Sequence, residues 1–157
     1  MILEMTLEQK WKLAVNSMGM FMQHLLVPIL RKFGERGYRV MEKYFREQGE
    51  ALGPLVVKAL NIEKLDAEGA AKIIDYQDTI LGVEGKWVER TPKRAVKVEH
   101  FCPMYRYIKD CPQFCDLIIW AWGEAQVKKL NPKAKVLFPK RMVDGDETCE
   151  VIIEIEH

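Results

Sequence analysis

The hydrophobic period of this chain changes once, near residue 82, and that change constrains the fold more than any other feature. Before it, apolar residues recur at helical spacing. Thr6 followed by Gln9 has the form of a capping box, and Leu7, Trp11, Val15, Met18, Met22, Leu25 and Ile29 then share a helical stripe. Pro28 is expected to kink this first helix, and Gly34 with Gly37 to stop it. A second helix is expected from Tyr38, showing Met41, Phe45 and Leu52 on one face, with Gly53-Pro54 dividing it from a short apolar piece at 55–60. Asp66 suits the cap of a third helix that ends at Gly82.

After residue 82 the pattern alternates in the manner of strands. Segments 83–90 and 94–100 read as a β-hairpin turned by Thr91-Pro92-Lys93. Residues 112–129 are helical again and end at Asn131-Pro132. Segments 135–143 and 148–156 then form a second hairpin around Asp144-Gly145-Asp146, with Cys149, Val151, Ile153 and Ile155 on one face of the last strand. The order predicts an α+β fold, with N-terminal helices packed on an antiparallel sheet built from two β-hairpins separated by a helix. A single domain over 1–157 is expected, helical in 1–82 and hairpin–helix–hairpin in 83–157.

Charge narrows the function classes. The net charge is +1, and residues 1–97 carry 16 Lys+Arg against 13 Asp+Glu while residues 98–157 carry 8 against 10. No basic stripe announces nucleic acid. The first ten residues have acidic groups where a signal peptide needs a basic segment, and no uninterrupted apolar run reaches about 18 residues. A cytoplasmic protein that does not engage a membrane is expected, with its cysteines reduced.

The chemistry is expected where the cysteines gather. None of the four precedes residue 102; Cys102, Cys111 and Cys115 fall close together, His100 stands two residues before the first, and Cys149 follows near the end. In a strand, His100 and Cys102 would share a face; in a helix, Cys111 and Cys115 would lie one turn apart. His100, Cys102, Cys111, Cys115 and Cys149 are therefore candidate ligands for zinc, with iron as the alternative metal. A start-of-helix position would lower the Cys111 thiol and make it a candidate nucleophile, with Asp116 and Glu124 as the nearest carboxylates to move a proton. Inert core cysteines remain an equal alternative. The first helix spreads Met18, Met20, Phe21 and Met22 over more than one face, wider than one core requires, so a homodimer partner or an apolar ligand is expected to cover it. Met22, Trp120 and Tyr105, the last in a polar run with Arg106 and Lys109, are candidate ligand-binding residues.

Cys102-Pro103, then Cys111 and Cys115 opening a helix, then Gly145-Asp146-Glu147-Thr148-Cys149 leading into a strand, resemble the L-2-amino-thiazoline-4-carboxylic acid hydrolase-like family. More distantly they resemble the 4-vinyl reductase type of ligand-binding domain. The resemblance covers mainly residues 96–157. It implies a small-molecule pocket beside the cysteines of an α+β domain, and a dimer. The vinyl reductase branch implies a sensor or carrier of a small apolar molecule, sometimes with zinc. The hydrolase branch implies opening of a cyclic thiazoline acid. The expected function is a small-molecule-binding domain with a Cys/His metal site, of sensor or carrier type. A hydrolase using a metal-bound water or a cysteine nucleophile is the alternative, and a purely structural dimerisation module is a third.

Overall fold

A computed structural model describes residues 5–156. Helix α1 (Leu7–Ala59) opens with the expected capping box, the Thr6 side chain accepting from the Gln9 N–H while the Gln9 side chain accepts from the Thr6 N–H. It differs from expectation in how it is divided. The helix passes Pro28, Gly37 and Gly53-Pro54 without ending, and its one non-helical residue is Gly34, at φ 53° and ψ −136°. That backbone region admits glycine readily and other residues at a cost, so Gly34 is where two helical segments join. Gly37 and Gly53 do a different job from the one expected, since both are buried in helix contacts. By length and composition α1 is also apolar enough to cross a membrane, because residues 13–30 carry no Asp, Glu, Lys or Arg and an 18-residue window reaches a mean hydropathy of 1.4. Counting uninterrupted apolar residues missed this. Val15, Val27 and Leu30 of the same stretch are packed into the protein core, while Leu13, Met20, Phe21 and Leu25 are exposed.

Helix α2 (Ala67–Leu81) starts at Asp66, whose side chain accepts from the Gly69 N–H at 2.9 Å, and stops at Gly82 with φ 76°. Strands β1 (Glu84–Arg90) and β2 (Arg94–Phe101) form the first hairpin, closed by Thr91 N–H donating to the Arg94 carbonyl at 2.8 Å. A short helix α3 (Tyr105–Ile108) carries the polar run that follows β2. The expected helix follows as one run in three parts: α4 (Pro112–Asp116), a wide π-helical segment (Leu117–Glu124) and α5 (Ala125–Leu130). Strand β3 (Ala134–Lys140) ends sooner than expected, giving way to a 3₁₀ turn (Met142–Asp144), and β4 (Cys149–Ile155) completes the sheet. The four strands are antiparallel in the order β1-β2-β4-β3, so the two hairpins join through β2 and β4.

Two apolar clusters hold this α+β arrangement. In one, Ala70, Ile73 and Ile74 of α2 pack with Val127 of α5 on Ala95, Val136, Val151 and Ile153 of the sheet. In the other, Val27, Leu30 and Met41 of α1 pack with Met104, Ile108, Phe114 and Leu117. Burial at roughly 25 cal/mol per Å² makes clusters of this kind the main favourable term in folding. The space between them, where the π-helical segment faces the sheet, is incompletely filled.

Candidate functional site: a cysteine-walled cavity between helix and sheet

Strand register builds the floor of that space. Glu99 of β2 pairs directly with Cys149 of β4, and Lys97 pairs with Val151, so all four side chains share the helix-facing side of the sheet. Val96 and Val98 take the other side. Charged groups thus point inward on β2, where an apolar pattern alone would have turned the valines inward. Helix α2 meets them with Gln77 and Asp78, and the π-helical segment closes the top with Ile118, Ile119, Trp122 and Gly123. A π-helix carries an extra residue per turn and occurs often at functional sites. Here it places Gly123 against the Gln77 carboxamide, whose Oε1 would lie 3.1 Å from an added Cβ.

The cavity measures about 80 Å³ and is lined mainly by apolar atoms, with Cys102, Cys115 and Cys149 in its wall. Outside it, an open cleft of about 500 Å³ runs between Trp11, Val15 and Asn16 of α1 and His100, Phe101 and Tyr105. Cys102 lines both spaces. It is the boundary between them.

Electrostatics sort the polar groups at the sheet end. Lys97 is 5% exposed and donates to Asp75 at 2.8 Å and to Asp78 at 2.5 Å. Burial works to lower its pKa, and these two carboxylates outweigh it, so Lys97 is held protonated. Asp75, with further hydrogen bonds from Trp87 and support from Arg90, stays below the usual carboxylate range although burial opposes this. Asp78 is pushed up by burial despite Lys97. Glu99 is 8% exposed, and burial, with the Asp78 charge second, pushes its carboxyl up to about 8. Burial likewise raises the thiols: Cys102 to about 11, against hydrogen bonds from the Met104 and Tyr105 backbone, with Cys115 and Cys149 also raised. All three thiols are neutral at physiological pH.

The candidate ligands of the metal site divide between separate places. Cys102, Cys115 and Cys149 share the cavity, joined by Glu99. His100 lies on the open cleft, more than half exposed and 3.7 Å from Glu84. Cys111 faces another shallow cleft with Arg31, Tyr38 and Asp116. The reason is local: Cys111 is the N-cap of α4, at φ −149° and ψ 71°, so the helical rule that would stack it on Cys115 does not begin until after it. Nor does the helix start lower its thiol, because burial outweighs the Phe114 N–H and the Arg31 charge and raises it. Among the described residues no group of three His, Cys, Asp or Glu side chains is arranged to hold a metal ion. A tetrahedral zinc centre needs four, so these residues do not fit one.

The remaining expected site residues also fall outside the cavity. Asp116 pairs with Arg141, and Glu124 pairs with Lys128 at 2.9 Å and Arg46 at 3.8 Å, so both carboxylates are committed to ion pairs. Met22 packs against the α1 cluster, and Tyr105 lines the open cleft. Trp120 stacks edge-on against Phe138, 5.0 Å between ring centres, and Phe138 rather than Trp120 reaches the cavity. Sequence reading missed Glu99, Gln77 and Asp78. The only available signal was the pair Lys97 and Glu99 on one face of a strand facing Asp75 and Asp78, three apart on a helix.

No family model matches the chain, and no curated protein matches it. Among solved structures it is similar to a trafficking protein particle complex subunit 3 from Naegleria fowleri, a crystal structure with palmitic acid covalently bound. The two superpose with a TM-score of 0.69 at 14% identity, over 93% of this chain and 97% of that one. They share a fold.

Proposed function

We propose that this protein is a small-molecule-binding domain that holds an apolar ligand in the cavity between α2, the π-helical segment and the sheet, as a carrier or sensor. The carrying observation is the apolar cavity itself, a gap where protein interiors are ordinarily close-packed. At about 80 Å³ it is smaller than usual ligand pockets, and Cys102 is the wall it shares with the cleft of about 500 Å³, so a turn of that one side chain would give a longer molecule room to extend. The similar fold that holds palmitic acid supports an apolar occupant. A distant relationship to the 4-vinyl reductase type of binding domain is part of this proposal, supported by the cysteine pattern and the cavity beside it. The neutral thiols favour non-covalent holding over nucleophilic attack, since the thiolate is the reactive form.

The test is titration with N-phenyl-1-naphthylamine, a neutral apolar dye that brightens out of water and that, being larger than the cavity, would occupy it together with the cleft beyond Cys102. Saturable binding near one dye per chain is expected, abolished by Ile118→Trp, which fills the cavity from the π-helical side. Cys149→Phe, filling it from the sheet, serves if the first variant does not fold. Absence of saturable binding to the folded protein would overturn the reading.

A further inference from the structure

We infer that the ligand carries a hydroxyl group, recognised inside the cavity by Glu99 and the Gln77 carboxamide. This rests on the cavity being a ligand site, and it goes on to name the ligand's polar chemistry. Gln77 is 7% exposed, lines the cavity, and its Nε2 has no hydrogen-bond partner among the described residues. A buried donor left unpaired costs about 1–3 kcal/mol, so an occupant that accepts from it gains that much back. An ammonium head cannot accept, and is thereby disfavoured.

The ionisable groups around Glu99 disfavour an anionic head as well. Asp78 faces it from α2, Lys97 precedes it on its own strand, and Cys149 and Cys102 flank it from β4 and the end of β2. The one cation among these, Lys97, is already engaged by Asp75 and Asp78. No hydrogen bond to the Glu99 carboxyl contributes to its state. A carboxylate entering here would stand beside the Asp78 carboxyl, with Lys97, the cation next to it, already engaged. A neutral hydroxyl suits both partners: its oxygen accepts from Gln77 Nε2, and its O–H donates to Glu99. Both residues line the same small cavity, whose surface is mainly apolar.

The experiment is displacement of N-phenyl-1-naphthylamine by 1-hexanol, 1-chlorohexane and hexanoate. The quantity read is the ratio of hexanol to chlorohexane affinity, compared between proteins so that the compounds' differing hydration cancels. Glu99→Leu is expected to shift this ratio about tenfold toward chlorohexane, the worth of one hydrogen bond, and Gln77→Met to shift it the same way. Hexanoate is expected to bind more weakly than hexanol, and to weaken further as pH rises through about 8 and Glu99 ionises. An unchanged ratio in either folded variant, or hexanoate binding better than hexanol, overturns the inference while dye binding leaves the cavity reading standing. If neither dye nor hexanol binds the unaltered protein, both fall together.

Discussion

Glu99 shows how one residue's environment sets its chemistry. An ordinary glutamate on a strand would be ionised and solvated; this one lies under α2 beside Asp78, and its carboxyl titrates near 8 instead of 4.5. The sign of the consequence follows from linkage. Between about pH 4.5 and 8 the folded protein binds a proton at Glu99 that the unfolded chain releases, so stability falls as pH rises through that window and levels off above it. The expected loss is on the order of a few kcal/mol. Glu99→Gln removes the ionisation, so its urea midpoint should change less between pH 6 and pH 9 and should exceed that of the unaltered protein at pH 9. Equal changes in both proteins would show that Glu99 ionises as a solvated carboxylate does.

Elements, unlike this residue, were largely legible in the sequence. The capping box at Thr6, the Asp66 cap, the Gly82 stop and the Thr91-Pro92-Lys93 turn each depend on chemistry within a few residues, and each forms as expected. Gly34 divides the long helix as expected, whereas Gly37 and Gly53 were misread because their role depends on what packs against them. Gly49 lies where a Cβ would come within 2.3 Å of the Trp122 carbonyl oxygen and 2.9 Å of the Ala125 Cβ, so its bare backbone lets α1 approach the π-helical segment closely. Gly34 has open space around it, and its need for glycine is purely conformational. The distinction is testable in the two alanine variants. Gly34→Ala should cost about 1–3 kcal/mol through backbone strain and leave dye binding intact. Gly49→Ala should cost a similar amount by forcing the helices apart, and because Trp122 is part of the cavity wall it should also weaken dye binding. Equal dye binding by the two variants would disconnect that helix contact from the site. The site itself was half legible for the same reason as the glycines. Cys102, Cys115 and Cys149 were singled out by type, but their separation from His100 and Cys111 is decided by a non-helical N-cap and a strand end, and the inward turn of Glu99 by pairing with a strand fifty residues away.

For the whole molecule, the cavity is a stability deficit that a protein selected only for folding would not keep. Void volume in a core costs about 24 cal/mol per Å³, so about 80 Å³ forgoes about 2 kcal/mol, a sizeable share of the 5–15 kcal/mol that holds a domain of this size together. A ligand that binds only the folded state restores stability by mass action, which couples occupancy to the melting temperature. Filling the space covalently should do the same without a ligand. Val151 lies on β4 at 1% exposure with its side chain on the cavity, and Val151→Ile adds one methylene group pointing into it. The expected result is a gain of about 0.5–1 kcal/mol in denaturant unfolding, together with weaker binding of dye and of hexanol. A gain in stability with unchanged binding would place the occupant elsewhere, in the open cleft beyond Cys102. A loss of stability would mean that the wall at Val151 is already packed, and that the space is narrower there than its lining residues imply. Stability and affinity moving in opposite directions in one conservative variant is the signature of a void held open for a ligand.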